Sequence, residues 1–70
     1  MTMSVTVNGH QRELPSGATI AKLVETMPGA PEGRGVAVAV EGEVVPRAQW
    51  PRTELREGAT VEVVVAVQGG

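Results

Sequence analysis

The chain predicts an α+β fold in which one helix packs on a mixed sheet of four to five strands. Three observations carry that expectation. Segments near both ends alternate buried-type and exposed-type residues at a period of two, as half-buried strands do. One interior segment carries apolar residues at helical spacing. Short Gly, Pro and Asn clusters divide everything else into pieces of strand length.

Met3, Val5 and Val7 alternate with Ser4 and Thr6 and predict a first strand with one buried face. Asn8-Gly9 follows, a pair that tolerates positive φ at both central positions of a tight hairpin turn. Gln11 to Leu14 returns as the second strand, ended by Pro15-Ser16-Gly17. Thr19 is placed as an N-cap, and Ile20, Leu23, Val24 and Met27 recur at i, i+3, i+4 and i+7. Pro28-Gly29 should stop this helix after about two turns. Ala30 to Gly35 is expected to be a loop.

Val36-Ala37-Val38-Ala39-Val40 predicts the third strand, Glu41-Gly42 a turn, and Glu43-Val44-Val45 a short fourth strand. Pro46 cannot donate to a ladder and confines that strand to an edge. Arg47 to Leu55, with Trp50 inside it, is expected to be an irregular crossover, and Arg56 to Ala59 a turn. Thr60 to Ala66 is the last strand, with Val61, Val63 and Val65 on its inner face. The first and last strands are the most apolar, so they belong side by side and parallel at the sheet centre. That arrangement is the β-grasp, or ubiquitin-like, fold. It divides the chain into a domain over residues 1–66 and a C-terminal Gly-Gly tail over residues 67–70.

Composition excludes several classes of function. With 70 residues the chain holds one domain, and its core must be aliphatic because Phe and Tyr are absent and Trp occurs once. Cys is absent and His10 stands alone, so no metal site and no resident cofactor are expected. The formal net charge is -2 and every acid is Glu, the opposite of a nucleic-acid footprint. No signal peptide is expected in Met1-Thr2-Met3-Ser4, and the apolar run from Val63 to Val67 is far too short for a bilayer. The expectation is a cytoplasmic domain without a membrane span.

No side-chain catalytic set emerges. His10 lacks a positioned nucleophile and an orienting group, and reads as a solvated turn residue. Glu41 and Glu43 flank a Gly turn and read as a hairpin tip. Arg47, Arg52 and Arg56 are ordinary surface charge or a guide for an acidic partner. Gly29, Gly33 and Gly35 lack the following Lys-Ser or Lys-Thr of a phosphate loop. Trp50 reads as a core lid, with an interface anchor as the alternative.

The chemistry is instead expected at the terminus. Glycine has no Cβ, so the Gly69-Gly70 end, with Gln68 before it, is thin enough to thread a narrow site. The Gly70 carbonyl is also unhindered once its carboxylate is activated, and no processing step should be needed to expose it. Alternation places Val64 and Ala66 on the outer face of the last strand, with Ala37 and Ala39 nearby. A shallow apolar patch beside such a tail marks an interaction site.

Several segments together resemble the ThiS family of sulfur carriers in thiamin biosynthesis. They are Val7-Asn8-Gly9, Leu14-Pro15-Ser16-Gly17-Ala18-Thr19, Val36-Ala37-Val38-Ala39-Val40, Gly42-Glu43-Val44-Val45-Pro46-Arg47 with Trp50, Gly58 with Val61-Glu62-Val63, and Gly69-Gly70. The loop from Pro28 to Gly35 departs from the family in its weight of Pro and Gly. The resemblance implies that a ThiF-type adenylyltransferase adenylates the Gly70 carboxylate. Sulfur transfer then gives a thiocarboxylate, which donates sulfur to thiazole synthase, ThiG. The chain would be a carrier and co-substrate, not an enzyme, and a monomer when free. The MoaD-like small subunit of molybdopterin synthase shares the fold and tail. Short length and Pro46-Arg47-x-x-Trp50 favour ThiS. A nucleic-acid-binding β-grasp module and a protein modifier that forms isopeptide bonds are the alternatives of other classes.

Overall fold

The computed structural model describes residues 1–27 and 35–65. Five strands form one sheet: β1 (Thr2–Val7), β2 (His10–Pro15), β3 (Val36–Val40), β4 (Glu43–Val45) and β5 (Thr60–Val65). Their spatial order is β2-β1-β5-β3-β4. The helix α1 (Ile20–Glu25) joins the two halves, and a 3-10 helix (Arg47–Arg52) lies between β4 and β5. The β-grasp expectation holds, with β1 and β5 parallel at the centre and all other pairs antiparallel.

Both hairpins turn as their sequences dictate. Asn8 and Gly9 have φ of 53° and 82°, and Glu41 and Gly42 have 52° and 84°. Two successive left-handed residues twist the chain in the sense that paired strands require. Glu41 has no Gly-like freedom, yet a specific contact offsets its strain. Its Oε2 accepts from the Thr60 backbone N–H at 2.7 Å, and its own N–H donates to the Thr60 carbonyl at 2.9 Å. A solvated hairpin tip therefore understates Glu41, whose carboxylate ties the β3–β4 turn to β5.

Thr19 caps α1, its Oγ1 accepting from the Lys22 N–H at 3.2 Å. Ile20, Leu23 and Val24 are buried, and Met27 packs half-buried just beyond the helix. The helix has six residues, fewer than two full turns. It stops at Thr26, whose hydroxyl donates back to the Leu23 carbonyl at 2.7 Å. Pro28 restricts the backbone of the residue before it, so an earlier stop is favoured. Replacing Thr19 with Ala should cost about 1 kcal/mol, read as a lower urea midpoint at unchanged m-value.

The crossover before β5 is more regular than expected. Arg47–Arg52 is a 3-10 helix, started after Pro46 and tolerating Pro51 inside it. Polar Arg47, Gln49 and Arg52 give the segment no apolar period, so its helicity is invisible to periodicity. It serves to bury Trp50, which is 4 % exposed and donates Nε1–H to the Val45 carbonyl at 2.9 Å. Trp50 is thus a core residue and not an exposed anchor. Leu55, further along, is buried as well. Its N–H donates to the Ala18 carbonyl at 2.8 Å, and the Ile20 N–H donates to the Thr53 carbonyl at 3.0 Å. These bonds fasten the entry of α1 to the segment after the 3-10 helix.

The core is aliphatic, with Val5, Ile20, Leu23, Val38 and Val61 almost wholly excluded from water. Each such side chain contributes roughly 1.5–3 kcal/mol by leaving water, the dominant favourable term in a chain this small. Val65 departs from expectation. It shares the inner parity of Val61 and Val63 but is 37 % exposed. It pairs with half-buried Val36 at the end of the β3–β5 ladder, where the stripe outruns the core. Among the described residues, no helix is long and apolar enough to cross a membrane.

Candidate functional site

The two strands beyond β5 on its β3 side decide what the outer sheet face presents. Next to β5, β3 sets Ala37 opposite Val64 and Ala39 opposite Glu62. On the following strand, β4 sets Val44 opposite Ala39. Small residues on β3 between larger ones on β5 and β4 leave a shallow concavity of about 270 Å³. It is lined by Asn8, Ala37, Ala39, Val44, Glu62 and Val64, with part of Val38. Val64 is 65 % exposed and Val44 is 74 % exposed. Exposed valines close together on a sheet retain apolar surface in water with no core to join, which marks contact surfaces. Glu62 is the ionisable residue among the described lining residues.

The structure thus brings Val64, Ala37 and Ala39 together on the outer face. Ala66, Gln68, Gly69 and Gly70 lie outside the described residues, as does the whole tail over residues 67–70. Val44 joins the patch beyond expectation, although the sequence contains the signal. A two-residue turn at Glu41-Gly42 forces Val40 opposite Glu43 and hence Ala39 opposite Val44. Once Ala39 faces outward, Val44 must do so too.

A second residue missed from sequence is Asn8. Its Oδ1 accepts from the Val63 N–H at 2.8 Å, and its Nδ2 donates to the Val63 carbonyl at 3.0 Å. Its backbone N–H also donates to the Val61 carbonyl at 2.9 Å. The turn requirement alone explains an Asn before Gly, so its second task left no separate trace in the sequence.

The remaining candidates lie at the surface. His10, Glu41, Glu43, Arg47, Arg52 and Arg56 are all exposed. Among the described residues no group of three His, Cys, Asp or Glu side chains is placed to hold a metal ion. The described residues offer an apolar concavity on the outer sheet face and, beside it, the strand that precedes the Gly-Gly end in sequence.

Comparison with known proteins bears on the family and the fold. No curated protein matches the chain in sequence. A crystal structure of thiamine biosynthesis protein ThiS from Geobacter metallireducens superposes with TM-score 0.75 at 27% identity, covering 97% of this chain and 100% of that one. A solution NMR structure of a thiamine biosynthesis protein from Geobacter metallireducens gives TM-score 0.78 at 27% identity, covering 97% of this chain and 88% of that one. The model of the ThiS family matches residues 5–70, from within β1 through the terminal glycines. With nearly its whole length matched, the chain belongs to the ThiS family.

Proposed function

We propose that this chain is a sulfur carrier that bears its cargo on the Gly70 carboxylate. The observation that carries this reading is the family match running through to Gly70 from a central strand. A carboxylate is a poor electrophile. Attack of its oxygen on the α-phosphorus of ATP, with loss of pyrophosphate, converts it to an acyl-adenylate. The terminal sulfur of a persulfide then adds to the carbonyl carbon and AMP departs, and a thiol cleaves the resulting acyl disulfide, leaving a disulfide and a thiocarboxylate. That group holds sulfur as a tethered nucleophile and avoids release of free sulfide. A ThiF-type adenylyltransferase would perform the activation, and ThiG would accept the sulfur during thiazole formation.

The chain's own contribution is delivery. Residues 66–70 come after Val65, and five extended residues span at most about 17 Å. The terminus can therefore enter a site at that distance while Val64, Ala66, Ala37 and Ala39, joined by Val44, hold the domain to the partner surface. The test is incubation with a ThiF-type enzyme, ATP and a sulfur source, with intact-mass and peptide analysis of the product. The expected product has one oxygen exchanged for sulfur, mapped to the C-terminal peptide. Sulfur on an internal peptide defeats the proposal.

A further inference from the structure

We propose that Asn8 is a positioning residue for the carrier terminus, an assignment that rests on the sulfur-carrier reading. The parallel β1–β5 ladder is short, with Thr6 opposite Thr60 and Val7 opposite Val61. Beyond Val7 the chain turns away into the hairpin, with φ positive at Asn8 and Gly9. Left there, the edge of β5 that faces β1 would lose its partner at Val63. A continuing strand would offer Val63 one acceptor and one donor. The Asn8 carboxamide offers both from a single side chain, at 2.8 and 3.0 Å.

The clamp acts on the part of β5 that leads to the terminus. Val64, next after Val63, is the outward valine of the docking concavity, and Asn8 itself forms part of the concavity's wall. Gly70 lies seven residues after Val63 (70 − 63). On its other edge β5 is held by β3, with Val38 opposite Val63 and Val36 opposite Val65. The clamp supplies the missing half: the N–H and carbonyl of Val63 both point to the β1 edge, and Asn8 bonds both there while β3 pairs along the opposite edge. It fixes the direction in which β5 runs past the docking face. A terminus launched from a strand free on one edge would sample more directions, and a misplaced reacting group loses rate steeply.

The two roles of Asn8 can be separated by substitution. Asn8→Gly keeps a turn pair that accepts positive φ twice, and removes the clamp. Asn8→Asp also tolerates the turn, keeps the acceptor for the Val63 N–H, and turns an oxygen toward the Val63 carbonyl. Both variants are compared with the wild-type chain by amide hydrogen exchange and by steady-state adenylation with a ThiF-type enzyme and ATP. Asn8→Gly, which removes both bonds, should give about tenfold faster exchange at Val63, and Asn8→Asp, which keeps the acceptor for that N–H, a smaller rise, with Val38 and Leu23 unchanged in both. Adenylation should lose about tenfold in kcat with KM within about threefold, since the apolar docking residues are retained.

Normal kcat in folded variants with a loosened Val63 overturns the positioning role. A raised KM at normal kcat does so too, because it makes Asn8 a docking contact instead. Unchanged exchange at Val63 removes the clamp itself. If the wild-type chain is not adenylated at all, the carrier reading fails and takes this role with it.

Discussion

Removing Gly69 and Gly70 is expected to abolish adenylation and sulfur loading while leaving the domain folded. The two effects separate because they have different physical sources. Among the described residues the buried apolar side chains run from Met3 to Val63 and together make a continuous core, whereas a glycine has no side chain to add to one. Substitutions away from a core, a cap or a strained position usually change stability by less than about 0.5 kcal/mol. For a domain of this size that is a shift in melting temperature of roughly 2–4 °C. The chemistry, by contrast, has no substitute for the lost atoms. A shortened chain ends at Gln68, whose side chain adds bulk where a diglycine is thin, and whose carboxylate stops two residues short. Thermal melting monitored by Trp50 fluorescence, paired with ATP–pyrophosphate exchange, measures both effects on one sample. A drop of about ten degrees or more would show that the tail contributes to the packed domain. Residual exchange near the wild-type rate would place activation somewhere other than Gly70.

Much of this fold was legible in local patterns that one physical cause dominates. Asn8-Gly9 had to turn because two positive φ values are strained for most side chains. Val61 and Val63 had to face inward together because a strand's side chains alternate with a period of two. Placing β1 beside β5 rested on apolar content and proved right. What escaped depends on tertiary partners. The 3-10 helix at Arg47–Arg52 has no apolar period, and its purpose, burying Trp50, appears only when the core is assembled. Val65 looks like Val63 in sequence but sits where the core has ended. Asn8 carried a strong local explanation that concealed a long-range one, across 55 residues to Val63. At the site, Val64, Ala37 and Ala39 were readable from parity, and Val44 would have been from the turn length. Ala66, Gln68, Gly69 and Gly70 remain readings of sequence and family, outside the described residues.

Val64→Glu is expected to weaken docking by about a hundredfold and leave the fold nearly intact. Val64 is 65 % exposed, so its side chain contributes little to the core, and a carboxylate there stays in water in the free domain. The residual cost to folding is the lower preference of Glu for a sheet, at most about 1 kcal/mol. Glu62 lies two residues away on the same face, and the two charges would be partly screened by solvent and salt. Binding is different, because the proposed docking covers the face that was wet. Val64 opposes Ala37 in the apolar concavity, which Ala39 and Val44 also line. A partner surface that fits this hollow would trap the new carboxylate without a counter-charge, at a cost of a few kcal/mol. Since about 1.4 kcal/mol is tenfold, about 2.8 kcal/mol gives the hundredfold rise in KM for adenylation. Val64→Thr is the control, β-branched like Val and uncharged, and its KM should stay within a few fold of wild type. Urea unfolding establishes that both variants are native, and titration of the adenylyltransferase gives KM. A native Val64→Glu chain adenylated at wild-type KM would assign activation to a different surface. Equal losses in Val64→Glu and Val64→Thr would mean that the contact rejects any polar group at this position, and not the charge in particular.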